Sequence, residues 1–210
     1  MSSESKSALA QQSTAELRKQ LRAKLRAKRN ELTEAQQVVA SEQLSSTLIN
    51  MTQVGDTLAL YFANDGELSP NKAIVDLIAA GRKVAVPVMH AFRKGYLNFQ
   101  FYQESTPMHK NGFGIAEPVL NSTTTLSLET IDYLFMPLVG FDLQGNRMGM
   151  GGGYYDRTLS RIQYLQQKPK LVGLAHDCQQ VEQLPIESWD VPIDMIITPT
   201  KKVMPKSKNK

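Results

Sequence analysis

The sequence predicts a single α/β domain with three layers, in which a mostly parallel, mixed sheet lies between helices on both faces. The length of 210 residues suits one domain, and the hydrophobic content of 41% is that of a globular protein. Short apolar runs alternate with helical segments, which is the pattern of βαβ units. Because no repeat or linker divides the chain, we expect the domain over residues 14–200, between a flexible leader at 1–13 and a basic flexible tail at 201–210.

The chain is expected to begin with two helices. Leucines recur at near-helical spacing from Thr14 to Leu32, with basic residues between them. Thr33 and Gln36 resemble a capping box, in which the hydroxyl accepts from one amide and the glutamine side chain accepts from another. This pair predicts the start of a second helix, which ends before Gly55.

Each expected strand of the parallel sheet is a short apolar run next to turn residues. Ser69 and Pro70 predict the start of a helix that ends at Gly81, and a further helix is expected over 155–167. Alternating polarity over 96–102 is typical of an antiparallel or edge strand, whereas 104–128 is rich in loop residues. The parallel strands are expected at 57–62, 83–88, 131–137, 170–175 and 194–198.

The basic charge is concentrated in two places. Net charge is +4, but residues 201–210 carry five lysines, and without them the chain has 19 Lys and Arg against 20 Asp and Glu. A second concentration lies on the first helix. This distribution argues against a surface-wide field for nucleic acid, so no nucleic-acid partner is expected. RNA binding through the basic helix and the tail remains the alternative.

Compartment and partners follow from what the sequence lacks. No apolar run reaches the ~18 residues of a membrane helix, and the polar N-terminus has no secretory signal. The single cysteine, Cys178, cannot form an internal disulfide. We therefore expect a cytoplasmic protein without a membrane partner, and a monomer.

The segment 145–157 carries the strongest indication of chemistry. Five of the 13 glycines lie between Gly145 and Gly153, after an expected strand and before an expected helix, where open α/β sheets bind ligands. Glycine backbone amides can surround an anion, and Arg147 offers a planar fork for phosphate oxygens. Asp156 could bind a divalent cation. The simpler interpretation is a flexible loop with two structural tyrosines, and the spacing matches neither a Walker A loop nor a Rossmann fingerprint.

The run Gly-Asn-Arg-Met-Gly-Met-Gly-Gly-Gly-Tyr-Tyr-Asp-Arg at 145–157 resembles the signature of the 5-formyltetrahydrofolate cyclo-ligase family. Three further places are similar to that family: the pair Arg18 and Arg22, the segment 61–67 that ends in Glu67, and the segment 111–118. The resemblance extends from about residue 17 to 198 and is most specific at 145–157.

This resemblance implies an ATP- and Mg²⁺-dependent enzyme of one-carbon metabolism, which converts 5-formyltetrahydrofolate, with or without a polyglutamate tail, to 5,10-methenyltetrahydrofolate, ADP and phosphate. It implies Arg147 and Tyr154 as catalytic residues and Asp156 and Asp190 as metal ligands. Implied ATP contacts are Arg18, Arg22, Arg147, Met148, Gly149, Met150, Gly151, Gly152, Gly153, Tyr154 and Tyr155. Implied folate contacts are Phe62, Glu67, Met150, Gly151, Gly152, Gly153 and Tyr154. Two positions depart from the family pattern: Arg18, where many members have lysine, and Met150, where others have a basic residue.

The resemblance also implies a mechanism, in which ATP phosphorylates the formyl oxygen, N10 attacks the activated carbon and phosphate leaves. Such a reaction needs positioning and charge neutralisation rather than a protein nucleophile. Glu67 is expected to accept from the donor pair of the pterin. Trp189 could stack on a ring or pack in the core, and Lys110 could meet a phosphate or solvent. Another phosphate-binding α/β enzyme, an isomerase or acyl-transferase, remains an alternative.

Overall fold

The computed structural model describes residues 13–205, so the predicted leader at 1–12 and the last five residues of the tail lie outside the described residues. The helices are α1 Thr14–Asn30, α2 Glu34–Met51, α3 Asn71–Ala79 and α4 Tyr154–Leu159. The strands are β1 Thr57–Ala59, β2 Lys83–Met89, β3 Leu97–Tyr102, β4 Met108–Lys110, β5 Ala116–Pro118, β6 Thr125–Leu126, β7 Tyr133–Pro137, β8 Gly140–Phe141, β9 Arg147–Met148, β10 Lys170–Leu174, β11 Met195–Ile197 and β12 Lys202–Val203.

The main sheet has eight strands in the order β12-β11-β10-β7-β1-β2-β3-β6. Its five central strands are parallel, and β12, β3 and β6 add antiparallel pairs at the edges. In the central register, Leu58 lies opposite Val84 on one side and Tyr133 on the other. The mixed, mostly parallel sheet predicted from the sequence is confirmed, including the antiparallel strand near 96–102.

Apolar side chains on the two faces of the sheet form two separate clusters. On one face, α2 and α3 bury leucines such as Leu48 and Leu77 against strand residues that include Leu58. On the other face, Leu159 of α4 packs with residues such as Phe141. Helices therefore cover both faces of the sheet, as predicted. No helix within residues 13–205 combines the length and hydrophobicity needed to cross a bilayer.

Helix α1 lies across the carboxyl ends of the parallel strands rather than on a face of the sheet. Its Leu25 is fully buried and packs against Gly140, just after β7. A Cβ at Gly140 would lie 2.5 Å from a Leu25 methyl carbon, so glycine permits this close approach. Further along α1, the buried Arg29 donates to the Leu138 carbonyl at 3.4 Å. This placement brings the basic helix to the edge of the sheet where α/β proteins bind ligands.

Several predicted boundaries differ from the structure for local reasons. The capping box at Thr33 is confirmed, but α3 begins at Asn71 without a side-chain cap. The helix expected over 155–167 ends at Leu159, where the Ser160 hydroxyl donates to the Arg157 carbonyl and competes with the helical pattern. The loop-rich stretch 104–128 contains the β4–β5 hairpin, one short 3₁₀ turn and strand β6, and a second 3₁₀ turn begins at its end. The tail begins as strand β12, paired with β11, before the described residues end.

Candidate active site

A cavity of about 2330 Å³ opens beside α1 and the glycine-rich segment. Its lining also includes residues at the amino ends of the strands, such as Asp56 and Asp132, so the cavity extends well beyond the glycine-rich segment. Every site residue named from the sequence lines it except Met148. The side chain of Met148 is buried because successive residues of β9 point to opposite sides, so that Arg147 faces the cavity and Met148 faces the core. The ATP contact at Met148 stays a prediction, and its buried side chain leaves only the backbone to make it.

The glycine loop, residues 149–153, lines the cavity with exposed backbone. The amides of these five residues make no hydrogen bond to any other residue that the structure describes. Gly151 has φ of 95° and Gly153 has φ of 67°, both in the left-handed region that other residues rarely adopt. The loop therefore offers several unpaired N–H donors to an anion. Since α4 has six residues, these amides rather than the dipole of a long helix would supply most of the attraction.

Arg157, which also lines the cavity, holds the glycine loop in place. Its guanidinium donates to the carbonyl of Gly152 in the loop and, at 3.0 Å, to the carbonyl of Gly95 in the β2–β3 turn. A Cβ at Gly153 would lie 2.6 Å from a terminal nitrogen of Arg157. The loop is thus fixed to the sheet by a side chain that the sequence did not single out.

Arg147 and Asp156 form an ion pair at the base of the glycine loop. The distance from Nη2 of Arg147 to Oδ1 of Asp156 is 2.5 Å. The side chain of Arg147 is buried, and its Nε has no hydrogen-bond partner among residues 13–205. Because an unpaired buried donor is costly, this N–H is a candidate for an anionic ligand.

Arg18 and Arg22 form a cationic wall along α1. Arg18 makes a two-pronged pair with Asp190 at 2.5 and 3.0 Å, and it also donates to the Pro185 carbonyl at 2.9 Å. Arg22 donates to the Gly149 carbonyl at 2.9 Å. Burial and the neighbouring Arg18 charge lower the pKa of Arg22, which indicates that the two cations are close. Their spacing of four residues places both on one face, as predicted.

Asp156 and Asp190 have the chemistry of a magnesium site. Both line the cavity, and the charges of both raise the pKa of Arg18, which places them near the same guanidinium. In proteins Mg²⁺ is commonly bound by one or two carboxylates together with substrate phosphates. Two carboxylates beside a predicted phosphate site fit that requirement. Each is paired here with an arginine, which a bound cation would have to replace.

Glu67 lies at the other end of the cavity, in the loop that follows β1. Its Oε2 accepts from the Asn64 amide at 3.1 Å. Burial raises the pKa of Glu67 from 4.5 to about 7, although the Arg29 charge opposes this shift. Phe62 lines the cavity nearby and packs edge-on against Tyr102, with 5.3 Å between ring centres. This part of the cavity thus combines the Phe62 ring with a carboxyl group, that of Glu67, whose pKa is near neutrality.

Arg29 is a site residue that the sequence analysis missed. It is fully buried and donates at 2.7 Å both to the Asp65 carbonyl and to the Asp65 carboxylate. A hydrogen bond from Arg26, together with the Arg29 charge, lowers the pKa of Asp65 to about 2. Arg29 thereby fixes the loop that carries Glu67. The signal was present in the sequence, because Arg29 follows Arg18 by eleven residues, which is three helical turns.

The β4–β5 hairpin reaches the same cavity from the opposite side. At its tip Phe113 is exposed and packs edge-on against Tyr154, with 6.0 Å between ring centres. The Tyr154 hydroxyl lies 3.9 Å from the sulfur of Met89. Lys110, at the end of β4, is exposed and is absent from the cavity lining. Tyr154 is therefore held between the hairpin and β2, with its ring toward the cavity.

Comparison with known proteins gives one consistent result. The model of the 5-formyltetrahydrofolate cyclo-ligase family matches residues 14–199. The 5-formyltetrahydrofolate cyclo-ligase of Haemophilus influenzae is 47% identical over 178 residues, covering 84% of this chain and 94% of the relative. The enzyme of the same name from Escherichia coli is 41% identical, covering 84% and 97%. The structure of Aquifex aeolicus 5,10-methenyltetrahydrofolate synthetase aligns with a TM-score of 0.76 at 27% identity, covering 92% of this chain and 95% of that one.

Proposed function

This chain belongs to the 5-formyltetrahydrofolate cyclo-ligase family, and on that premise we propose that it uses ATP and Mg²⁺ to convert 5-formyltetrahydrofolate to 5,10-methenyltetrahydrofolate, ADP and phosphate. The observation that carries the proposal is that one cavity joins a candidate anion site to an aromatic ring with a carboxyl group beside it. The glycine loop with Arg18, Arg22 and Arg147 forms what we call the nucleotide end. Phe62 and Glu67 form the folate end.

The chemistry explains why two ligands must meet. A formyl group on nitrogen is an amide, so its carbon is a poor electrophile and its oxygen a poor leaving group. Transfer of the terminal phosphoryl group of ATP to that oxygen turns it into a phosphate ester, which is a good leaving group. N10 of the folate then attacks the same carbon, and the departing phosphate takes the oxygen with it. The reaction needs alignment and charge neutralisation, and no nucleophile from the protein.

The residues of the nucleotide end are suited to that alignment. Arg147 faces the cavity with a buried, unpartnered Nε, so it would donate to the phosphoryl group as charge accumulates there. The free amides of the glycine loop would bind the other phosphate oxygens, and Arg18 and Arg22 would neutralise them. Asp156 and Asp190 would hold Mg²⁺. When bound, this ion neutralises phosphate charge and orients the phosphate oxygens.

Glu67 would orient the folate. As a carboxylate it accepts hydrogen bonds, and the amino group and ring N–H of a pterin form an adjacent donor pair. Its position on the loop fixed by Arg29 keeps this acceptor in place. Tyr154, between the two ends, would contact both ligands. A cytoplasmic monomer without a nucleic-acid partner remains our proposal for its setting.

The direct test is an absorbance assay for the methenyl product from 5-formyltetrahydrofolate. We expect product with ATP and Mg²⁺ together, and none when either is left out. Product formation without ATP would refute the proposed activation step. ATP hydrolysis that proceeds equally without the folate would instead favour a different phosphate-binding enzyme.

A further inference from the structure

The turn before Asp190 presents an aromatic ring to the cavity. Trp189 is the one tryptophan of the chain, it lines the cavity, and it is 65% exposed. A tryptophan that contributes to a core buries most of its surface, so this exposure excludes a packing role. An exposed indole at the wall of a ligand cavity offers a flat surface on which a planar group can stack.

The backbone under this ring is already fixed. The Asp190 amide donates to the Glu187 carbonyl at 3.1 Å, and the Glu187 amide donates to the Asp190 carboxylate at 2.9 Å. The same carboxylate makes the two-pronged pair with Arg18 on α1. The turn 187–190 is thus held by its own hydrogen bonds, of which the backbone bond from Asp190 to Glu187 does not depend on Arg18, while the indole is free. Because the backbone is already ordered, stacking on this ring would require little further ordering.

We propose that Trp189 stacks on the purine base of the nucleotide, an inference that rests on the proposed function. A nucleotide has one anionic end and one flat aromatic end, and the wall around Arg18 has a matching element for each. Arg18 and Arg22 suit the phosphates, and the indole next to Asp190 suits the base. The pterin ring has its own place at Phe62 and Glu67, at the opposite end of α1. The base is therefore the planar group that the indole receives.

The single tryptophan makes binding directly observable. All tryptophan fluorescence of this protein comes from residue 189, so a base stacked on it should change the emission. We expect ADP with Mg²⁺ to quench the emission in a saturable titration. Inorganic tripolyphosphate, which has phosphates but no base, should bind without quenching. Equal quenching by both ligands, or none by ADP under conditions where calorimetry detects ADP binding, would overturn the inference.

Substitution separates this role from a structural one. Trp189→Ala should raise the KM for ATP by about tenfold, within the range that base–aromatic stacking produces, and leave the KM for the folate and the melting temperature unchanged. Trp189→Phe, which keeps a ring, should restore most of the affinity. The matched control is Phe92→Ala, which removes an exposed ring from the β2–β3 turn, outside the cavity.

Two outcomes would overturn the assignment. An unchanged KM for ATP in Trp189→Ala would show that the ring is a bystander, and a raised KM for the folate alone would assign the ring to the folate. Because the ADP titration needs no turnover, it can succeed even if the wild-type protein makes no methenyl product. Failure of the proposed function and failure of this inference are therefore distinguishable.

Discussion

The two ends of the cavity use the same pairing of arginine with aspartate in different ways. At the nucleotide end, Arg18 with Asp190 and Arg147 with Asp156 line the cavity, so a ligand can reach both partners. At the folate end, Arg29 is wholly buried behind Asp65 and is absent from the cavity lining. In the two pairs at the nucleotide end, a ligand can replace one partner of the ion pair. The pair of Arg29 with Asp65 instead holds a loop in place. Access from the cavity, rather than residue type, decides which role an arginine takes.

The largest effect is expected from Arg147, at the nucleotide end. Arg147→Ala should fold and should lose about 10³-fold or more in kcat, because arginines that neutralise a transferring phosphoryl group contribute on the order of 10³–10⁵. The methenyl absorbance assay measures this loss, and circular dichroism checks the fold. A variant with near-wild-type kcat/KM would remove Arg147 from the mechanism and leave its ion pair as a structural feature.

Substitution of Arg29 should differ from substitution of Arg147, because its main effect is expected on stability rather than on kcat. Arg29→Met keeps much of the volume but removes the hydrogen bonds from the guanidinium to Asp65, and hydrogen bonds to charged groups contribute about 1.5–3 kcal/mol to the free energy of unfolding. Urea unfolding measures the loss. Arg26→Ala is the matched control, since Arg26 also pairs with Asp65 but its side chain is 43% exposed, and exposed pairs contribute below about 1 kcal/mol. Equal losses in the two variants would contradict the comparison.

Arg18 should affect nucleotide affinity more than stability. Arg18→Ala removes one cation and the two-pronged pair with Asp190, and we expect the KM for ATP to rise tenfold or more, because hydrogen bonds to charged groups contribute about 1.5–3 kcal/mol net of exchange with water. The KM for ATP of Arg18→Lys should lie between those of the wild type and of Arg18→Ala, because lysine keeps the charge without the planar fork. If the KM for the folate rose and that for ATP did not, the assignment of the two ends would be reversed.

The smallest expected effect is a change in pH dependence at Glu67. Its pKa of about 7 means that the carboxylate becomes protonated as pH falls through neutrality, so the KM for the folate should rise below about pH 7. Glu67→Gln should have a raised KM that no longer depends on pH in this range. The pH dependence of stability should have the opposite sense, with greater stability at lower pH. Since folding raises this pKa from 4.5, wild-type stability falls as pH rises between 4.5 and about 7, and that slope should weaken in the variant.

Local patterns in the sequence predicted the parts of the site that are local in structure. The glycine loop was identified because its amides, Arg147 and Asp156 lie within one short segment. The capping box at Thr33 likewise depends on neighbours three residues apart. Strand alternation could also have shown that Met148 points away from Arg147, once β9 was recognised. Two residues are too few for a hydrophobic pattern to reveal such a strand.

The parts that sequence reasoning missed depend on distant contacts. The helical spacing places Arg29 on the same face as Arg18, but it does not tell which loop meets that face. Asp65 reaches Arg29 from 36 positions away, and this contact decides that the guanidinium is buried. The turn that carries Trp189 is likewise joined to α1 by the pair between Arg18 and Asp190, which are 172 positions apart. Contacts between residues so far apart in the sequence become visible only in the folded structure.

A consequence follows from the fact that one helix serves both ends of the cavity. Arg18 and Arg29 are three turns apart, so they point in nearly the same direction and are separated by about 16 Å along the axis. The rise per residue of α1 therefore sets the distance between the nucleotide end and the folate end of the cavity. A single residue inserted between Arg22 and Arg26 would rotate one anchor relative to the other by about 100°, even if every contacting side chain were retained. The spacing of the arginines along α1 is therefore as important for the site as the arginine side chains themselves.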